Sequence, residues 1–270
     1  MVNEPIIIKI GGSVLGDKTQ DMIFRENVIS SVIKDIADLY KNKKTRFVIV
    51  HGVSSAGHMP VKKYELYKGF LGEYQLIGYT IAQNRVNKLR QLVLNYMEQE
   101  GLPGIEFYPS SLLIGDKGRV VDFFDNSIKA LFNVGITPVI SGDMMADKTM
   151  GLSVCSGDQI VFVMAEIFDA KKIIFGVDVD GVFDKDPATG DANLITEISF
   201  EKIKAVAESA QGAHGVDVSG GMHGKLKEIA RHKEFFNHGG EVWIINMLKE
   251  KALSKALAGD QDFQFTRIHA

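Results

Sequence analysis

Five short apolar runs, each closed by a glycine-bearing or polar turn, recur along the chain: PIIIKI at 5–10, RFVIV at 46–50, ITPVI at 136–140, KIIFGV at 172–177 and EVWII at 241–245. Runs of this length, rich in β-branched residues and without polar alternation, suit strands covered on both faces, as in a parallel sheet. Between them, apolar positions return at helical spacing. Residues 27–40 place Val28, Val32, Ile36 and Leu39 on one stripe, and 78–100 carry Ile81, Leu89, Leu92, Val93 and Tyr96. Shorter helical patterns cover 127–133 and 159–168. Strand alternating with helix predicts an α/β fold with helices on both faces of one sheet. No repeat, low-complexity tract or proline-rich linker divides the chain, and the softest boundary falls at 167–172.

In open α/β sheets ligands bind beyond the carboxyl ends of the strands, and the glycine-rich turns fall there. The first run leads into Gly11, Gly12 and Ser13, with Lys9 beside the turn. Paired glycines let backbone N–H groups approach a phosphate closely, next to an ammonium. The same residues also read as a tight turn with a snorkelling lysine, and their spacing is neither the P-loop nor the dinucleotide fingerprint. The second run leads into His51-Gly52-Val53-Ser54-Ser55-Ala56-Gly57-His58, where amides and hydroxyls can face an oxyanion and His58 can donate a hydrogen bond or move a proton. His51 reads as structural. The third leads into Gly142 and Asp143, and Ser156-Gly157-Asp158 opens the helical pattern that follows. Asp158 is either the cap of that helix or a carboxylate that orients cations around a phosphoryl group. The fourth leads into Asp178-Val179-Asp180-Gly181-Val182, a turn composition that can also hold a ribose or a metal. A last glycine turn, Gly220-Gly221, enters a helix carrying Lys225.

Composition narrows the choice. With 270 residues, a formal net charge of −3 and no block of five or more like charges, the chain lacks the electrostatic footprint of a protein that binds nucleic acid or an anionic membrane. Cys155 stands alone and cannot form an intramolecular disulfide; it reads as a buried, inert thiol. His214, His223, His232 and His238 are spaced too irregularly for a metal site. The opening MVNEPIIIKIGG has neither a basic region nor a long apolar core, so no signal peptide or membrane span is expected and the cytoplasm is the expected compartment.

Seven segments in order, IIIKIGGSVLGDK, HGVSSAGH, GYTIAQNRVNKL, PVISGDMM, CSGDQIVFVMAE, DVDGVFDKDP and DVSGGMHGK, resemble the amino acid kinase superfamily and, within it, the isopentenyl phosphate kinases. Fosfomycin-phosphorylating kinases share several of them. The resemblance implies a three-layer αβα sandwich with a mainly parallel central sheet, an acceptor-binding lobe over 1–168 and an ATP-binding lobe over 169–270. It implies direct in-line transfer from ATP, with Mg²⁺, to a small phosphate acceptor such as isopentenyl phosphate, and a homodimer. By matching position, Lys9 lies at the transferred phosphoryl group, Lys18 stabilises the transition state, Lys225 approaches the ATP phosphates, Asp158 positions the lysines and His58 binds the acceptor's phosphate. Gly11, Gly12, Ser13, Ser54, Asp178, Asp180, Gly181, Val182, Gly220 and Gly221 are the further expected ATP contacts. Gly52, Val53, Gly57, Gly142, Ser156 and Gly157 are those for the acceptor. A phosphonate such as fosfomycin, another phosphorylated metabolite, or a regulator that binds nucleotide without turnover are the alternatives. One departure stands out: the family loop carries three consecutive glycines where this chain has Gly52-Val53-Ser54. Val53 adds a Cβ and confines φ to negative values at a place where backbone approaches the acceptor.

Overall fold

The computed structural model describes residues 4–17, 19–187, 190–209 and 221–270. In chain order its elements are β1 (Ile6–Ile10), α1 (Gly12–Leu15), α2 (Glu26–Lys43), β2 (Phe47–His51), α3 (Ser54–Lys63), α4 (Tyr74–Gln99), β3 (Gly104–Phe107), α5 (Pro109–Leu112), β4 (Leu113–Asp116), β5 (Arg119–Phe123), α6 (Asn126–Asn133), β6 (Thr137–Ser141), β7 (Asp143–Asp147), β8 (Gly151–Cys155) and α7 (Gly157–Phe168). There follow β9 (Lys172–Val177), β10 (Val182–Phe183), β11 (Leu194–Ile195), β12 (Glu197–Ser199), α8 (Ile203–Ser209), α9 (Gly221–Ile229), α10 (Lys233–Asn237), β13 (Glu241–Asn246), α11 (Ala252–Ala258) and β14 (Thr266–His269).

Eight strands form one sheet in the order β12-β14-β13-β9-β1-β2-β6-β3. Every neighbouring pair is parallel except β13–β14. The first strand of the sequence is therefore central, with Ile8 opposite Ile49 on one side and Ile174 on the other. The sheet crosses the expected boundary at 167–172 without a break, because β9 pairs with both β1 and β13.

The period of two along a strand decides what each layer receives. Ile7, Val48, Val50 and Phe175 pack on one face with α6, α7, α8 and α9. Ile8, Ile10, Ile49 and Ile174 pack on the other with α2, α4 and α11. Each wholly buried isoleucine contributes roughly 1.5–3 kcal/mol. The expected αβα layering is thus present, and the stripe predicted on α2 is buried through Val32, Ile36 and Leu39. The pattern also puts Lys9 on the face of Ile7, toward α7.

Strands that the apolar runs did not announce lie at the sheet's margins. β3 and β14 alternate or are only half covered, so neither gives a continuous apolar run. A second sheet, β5-β4-β7-β8, grows from the end of β6. Its hairpin turns converge on buried Asp147, which accepts the backbone N–H groups of Lys117 (3.1 Å), Gly118 (2.8 Å), Thr149 (3.0 Å) and Met150 (2.8 Å). Burial opposes the charge, yet these donors hold its carboxyl down at about 2. Among the described residues no helix is long and apolar enough to cross a membrane.

Candidate active site

Three charged side chains from three elements meet where the central strands end. Lys9 is the fourth residue of β1, Asp158 lies in the first turn of α7 and Lys225 in α9. The Lys9 ammonium donates to Asp158 Oδ1, and Lys225 Nζ lies 3.1 Å from Oδ1 and 3.3 Å from Oδ2. Their exposures are 9%, 7% and 5%, so the cluster is largely withdrawn from water. Phe175, inward from β9, lies beneath both lysines, with Nζ-to-ring distances of 6.0 Å for Lys9 and 4.4 Å for Lys225.

Burial disfavours the Asp158 carboxylate, but the two ammoniums outweigh it and hold the group well below the usual carboxylate range. Lys225 shows the opposite balance. Burial lowers it to about 8; Asp158 opposes the shift and repulsion from Lys9 adds to it. One carboxylate thus serves two cations. A phosphate oxygen arriving here meets a surplus of positive charge in a low-dielectric setting.

Asp158 does not cap its helix. That role belongs to Ser156, whose Oγ accepts the Gln159 N–H at 3.2 Å. Asp158 is left for the two lysines, and the capping reading of its sequence position falls away.

The glycines pack the loops closely around this centre. A Cβ on Gly11 would lie 2.5 Å from the Gly176 carbonyl oxygen, and one on Gly52 would lie 2.4 Å from Gly12 N. A Cβ on Gly157 would lie 3.2 Å from Lys9 Cε. Gly142 donates its N–H to the His51 carbonyl at 3.0 Å. Ser13 donates to Asp178 at 2.9 Å, which joins the first and fourth loops. Asp180 accepts Asn246 Nδ2 at 2.9 Å and Lys249 Nζ at 2.6 Å. Gly181 has φ +152° and adjoins Thr266, whose Oγ1 takes the Val182 N–H at 2.7 Å. Val182 is therefore buried and its amide occupied. Gly221 opens α9 at φ +57°. Lys18 and Gly220 lie outside the described residues.

The second loop differs from expectation in where its strain sits. Val53 has φ −105°, comfortable for any residue. The left-handed position is Ser54, at φ +46°. Its hydroxyl is enclosed by protein and has no hydrogen-bond partner among the described residues. Val53 directs its side chain between Gly57 and Gly142: Cγ2 and Cγ1 lie 2.5 Å and 3.5 Å from where Cβ atoms on those glycines would stand. A serine in this conformation with an unpaired hydroxyl carries strain and a desolvation cost. Ser54→Gly is accordingly expected to stabilise the fold by about 1 kcal/mol after the added chain entropy of glycine is subtracted, as measured by urea denaturation. A destabilised variant would contradict this account of the loop.

His58 lies in the second turn of α3, half-buried. His51 is fully buried, its ring bonded to the Gly52 carbonyl (2.8 Å) and its Nε2 3.8 Å from Glu106, in keeping with a structural role. Sequence reasoning missed Arg90, buried in α4. Its guanidinium donates to Ser141 Oγ at 2.8 Å and Asp143 Oδ2 at 2.7 Å, gripping both neighbours of Gly142. Only its occurrence within an otherwise apolar helical stripe hinted at this.

The sequence profile described as the amino acid kinase family matches residues 4–246. This chain belongs to that family. Among its curated relatives, the isopentenyl phosphate kinase of Methanothermobacter thermautotrophicus is 31% identical over 266 residues, covering 95% of this chain and 96% of that one. The isopentenyl phosphate kinase of Methanocaldococcus jannaschii is 30% identical over 265 residues, covering 94% and 95%. A crystallographic isopentenyl phosphate kinase superposes with a TM-score of 0.80 at 27% identity, over 97% of this chain and 99% of that one. In this member of the family, then, the loops and lysines occupy a fold shared across nearly the full length of these isopentenyl phosphate kinases.

Proposed function

We propose that the protein is an ATP-dependent kinase that converts isopentenyl phosphate to isopentenyl diphosphate. The observation that carries this reading is the buried Lys9–Asp158–Lys225 cluster at the strand ends, in a chain similar end to end to isopentenyl phosphate kinases. An oxygen of the acceptor's phosphate attacks the γ-phosphorus of ATP in line; the bond from that phosphorus to the β,γ-bridging oxygen breaks, and ADP leaves with the electron pair. Bringing two polyanions together needs cations held in place before they arrive. Lys9 and Lys225 fill that role, Asp158 keeps them apart and aimed, and Lys18 is assigned to the transition state by its family position.

The same resemblance supports an acceptor lobe over 1–168, a nucleotide lobe over 169–270 and a homodimer. With Asp158 already shared by two ammoniums, the site's donor set suits phosphate oxygens, and Mg²⁺ is assigned to the nucleotide's phosphates. There it would neutralise charge on ATP. The acceptor's alkyl chain is assigned to the start of α4 and the turn before it, where Leu76 and Ile77 of the helix and Phe70 of the turn are exposed and Ile81 is half-buried.

An ADP-release assay across isopentenyl phosphate, dimethylallyl phosphate, fosfomycin and UMP tests the assignment. The highest kcat/KM is expected with isopentenyl phosphate; a preference for fosfomycin, or no turnover despite ATP binding, overturns it. His58→Ala is expected to raise the acceptor KM at least tenfold while the ATP KM stays within twofold. An unchanged acceptor KM would remove His58 from the site.

A further inference from the structure

The hairpin formed by β4 and β5 belongs to the half of the chain assigned to the acceptor, yet it is fastened on both sides to the helices that carry the catalytic charges. Arg119, at the start of β5, makes a two-pronged contact with Glu228 of α9: Nη1 donates to Oε2 at 2.8 Å and Nη2 to Oε1 at 2.6 Å. Glu228 follows Lys225 by three positions in the same short helix, so both residues share a face. On the other side Gln159, the residue after Asp158, accepts the Val120 N–H at 2.6 Å and donates to the Gly118 carbonyl at 3.3 Å.

A third contact closes the circuit. His232, just beyond α9, donates from Nε2 to Glu228 Oε1 at 3.0 Å, and its ring stacks on Phe162 of α7 at 3.7 Å and 5°. Asp158 and Lys225 therefore each stand in a helix whose neighbouring residue grips one hairpin, itself pinned to Asp147 through the Lys117 and Gly118 amides.

We propose that Arg119 and Glu228 are positioning residues for phosphoryl transfer, fixing the rotation of α9 so that the Lys225 ammonium stays against Asp158. The fork geometry matters as well as the charge, because a guanidinium constrains a carboxylate's orientation where an ammonium does not. Burial opposes the charge of Glu228, but His232 and Arg119 hold its carboxyl down at about 2, so the contact persists across the working pH range. The proposal rests on the kinase reading given above.

The test is a double-mutant cycle on the full chain with R119A, E228Q and the pair, together with R119K. Each single change is expected to lower kcat about tenfold, with acceptor KM within twofold. The double variant is expected to be no worse than the more impaired single one, and R119K to recover only part of the loss. In parallel, reaction of Lys225 with a lysine-directed acylating reagent, followed by peptide mass spectrometry across pH 6–11, reads the lysine's surroundings without any substrate. Arg119→Ala is expected to shift that labelling profile at Lys225, a change that a purely scaffolding role elsewhere would not produce. Unchanged kcat and an unchanged Lys225 profile in folded R119A, or multiplicative losses in the double variant, overturn the proposal. If the wild type instead fails to use isopentenyl phosphate while the labelling shift is seen, the substrate assignment falls and the brace stands.

Discussion

Asp158→Asn is expected to lower kcat by about 10²- to 10³-fold, the range found when one preorganised group of a charged transition-state site is removed. The substitution keeps the shape and loses the charge, so two buried ammoniums, Lys9 and Lys225, face each other without their shared counterion. Breaking a buried ionic contact on one side costs about 3–5 kcal/mol, and urea denaturation is expected to show a loss of that order. The pH dependence has a definite sign. The folded Asp158 carboxyl titrates below its ordinary 3.8, so the stability it contributes is complete above 3.8 and is lost as pH falls toward the depressed folded value. The asparagine variant should lack that acid-side slope. A kcat within threefold of the wild type would sink the role assigned to Asp158.

Lys225→Met separates catalysis from stability in the other direction. Turnover is expected to fall about 10³-fold, whereas thermal stability should hold or rise. The reason lies in the direction of the shift: burial brings the folded ammonium from 10.5 down to about 8, so between those values the unfolded chain binds more protons than the folded one. Linkage then makes wild-type stability increase with pH across that window. The methionine variant is expected to lose the increase, and pH-resolved melting curves check it. Wild-type kcat/KM, which reports the free enzyme, should also decline as pH rises past about 8, since only the protonated amine neutralises phosphate charge. A methionine variant that unfolds more readily at neutral pH would contradict this balance.

The sequence carried the centre of the fold because the strands covered on both faces left uninterrupted apolar runs, and β1, β2, β6, β9 and β13 emerge within a residue or so of those runs. It did not carry the second sheet. The hairpin strands β4 and β5 mix buried with half-exposed and exposed positions, and their organiser, Asp147, acts through backbone donors that have no side-chain signature. The site divides in the same way. Lys9 and the glycine pairs could be read because their residue types are unusual at a strand end. The pairing of Asp158 with both lysines was legible only through the family resemblance, since it joins positions far apart in the chain. The backbone strain at Ser54 was hidden for another reason: the branched Val53 drew the expectation of strain, while the left-handed φ falls one residue later. Arg119 and Glu228 offered no pattern at all.

Because β1 lies between β2 and β9, with Ile6 in register with Phe47 on one side and Lys172 on the other, the halves that would hold the two ligands are not halves that can mature separately. A nascent chain ending before residue 172 has β1 with one row of N–H and C=O groups unpaired and Lys9 without Lys225. Such an apolar, open edge recruits any other strand within reach, and closing it requires bringing together segments separated by more than half the chain, a slow event. Synthesis of this protein therefore passes through a long interval in which its most aggregation-prone strand is the one that will later hold Lys9 against Asp158.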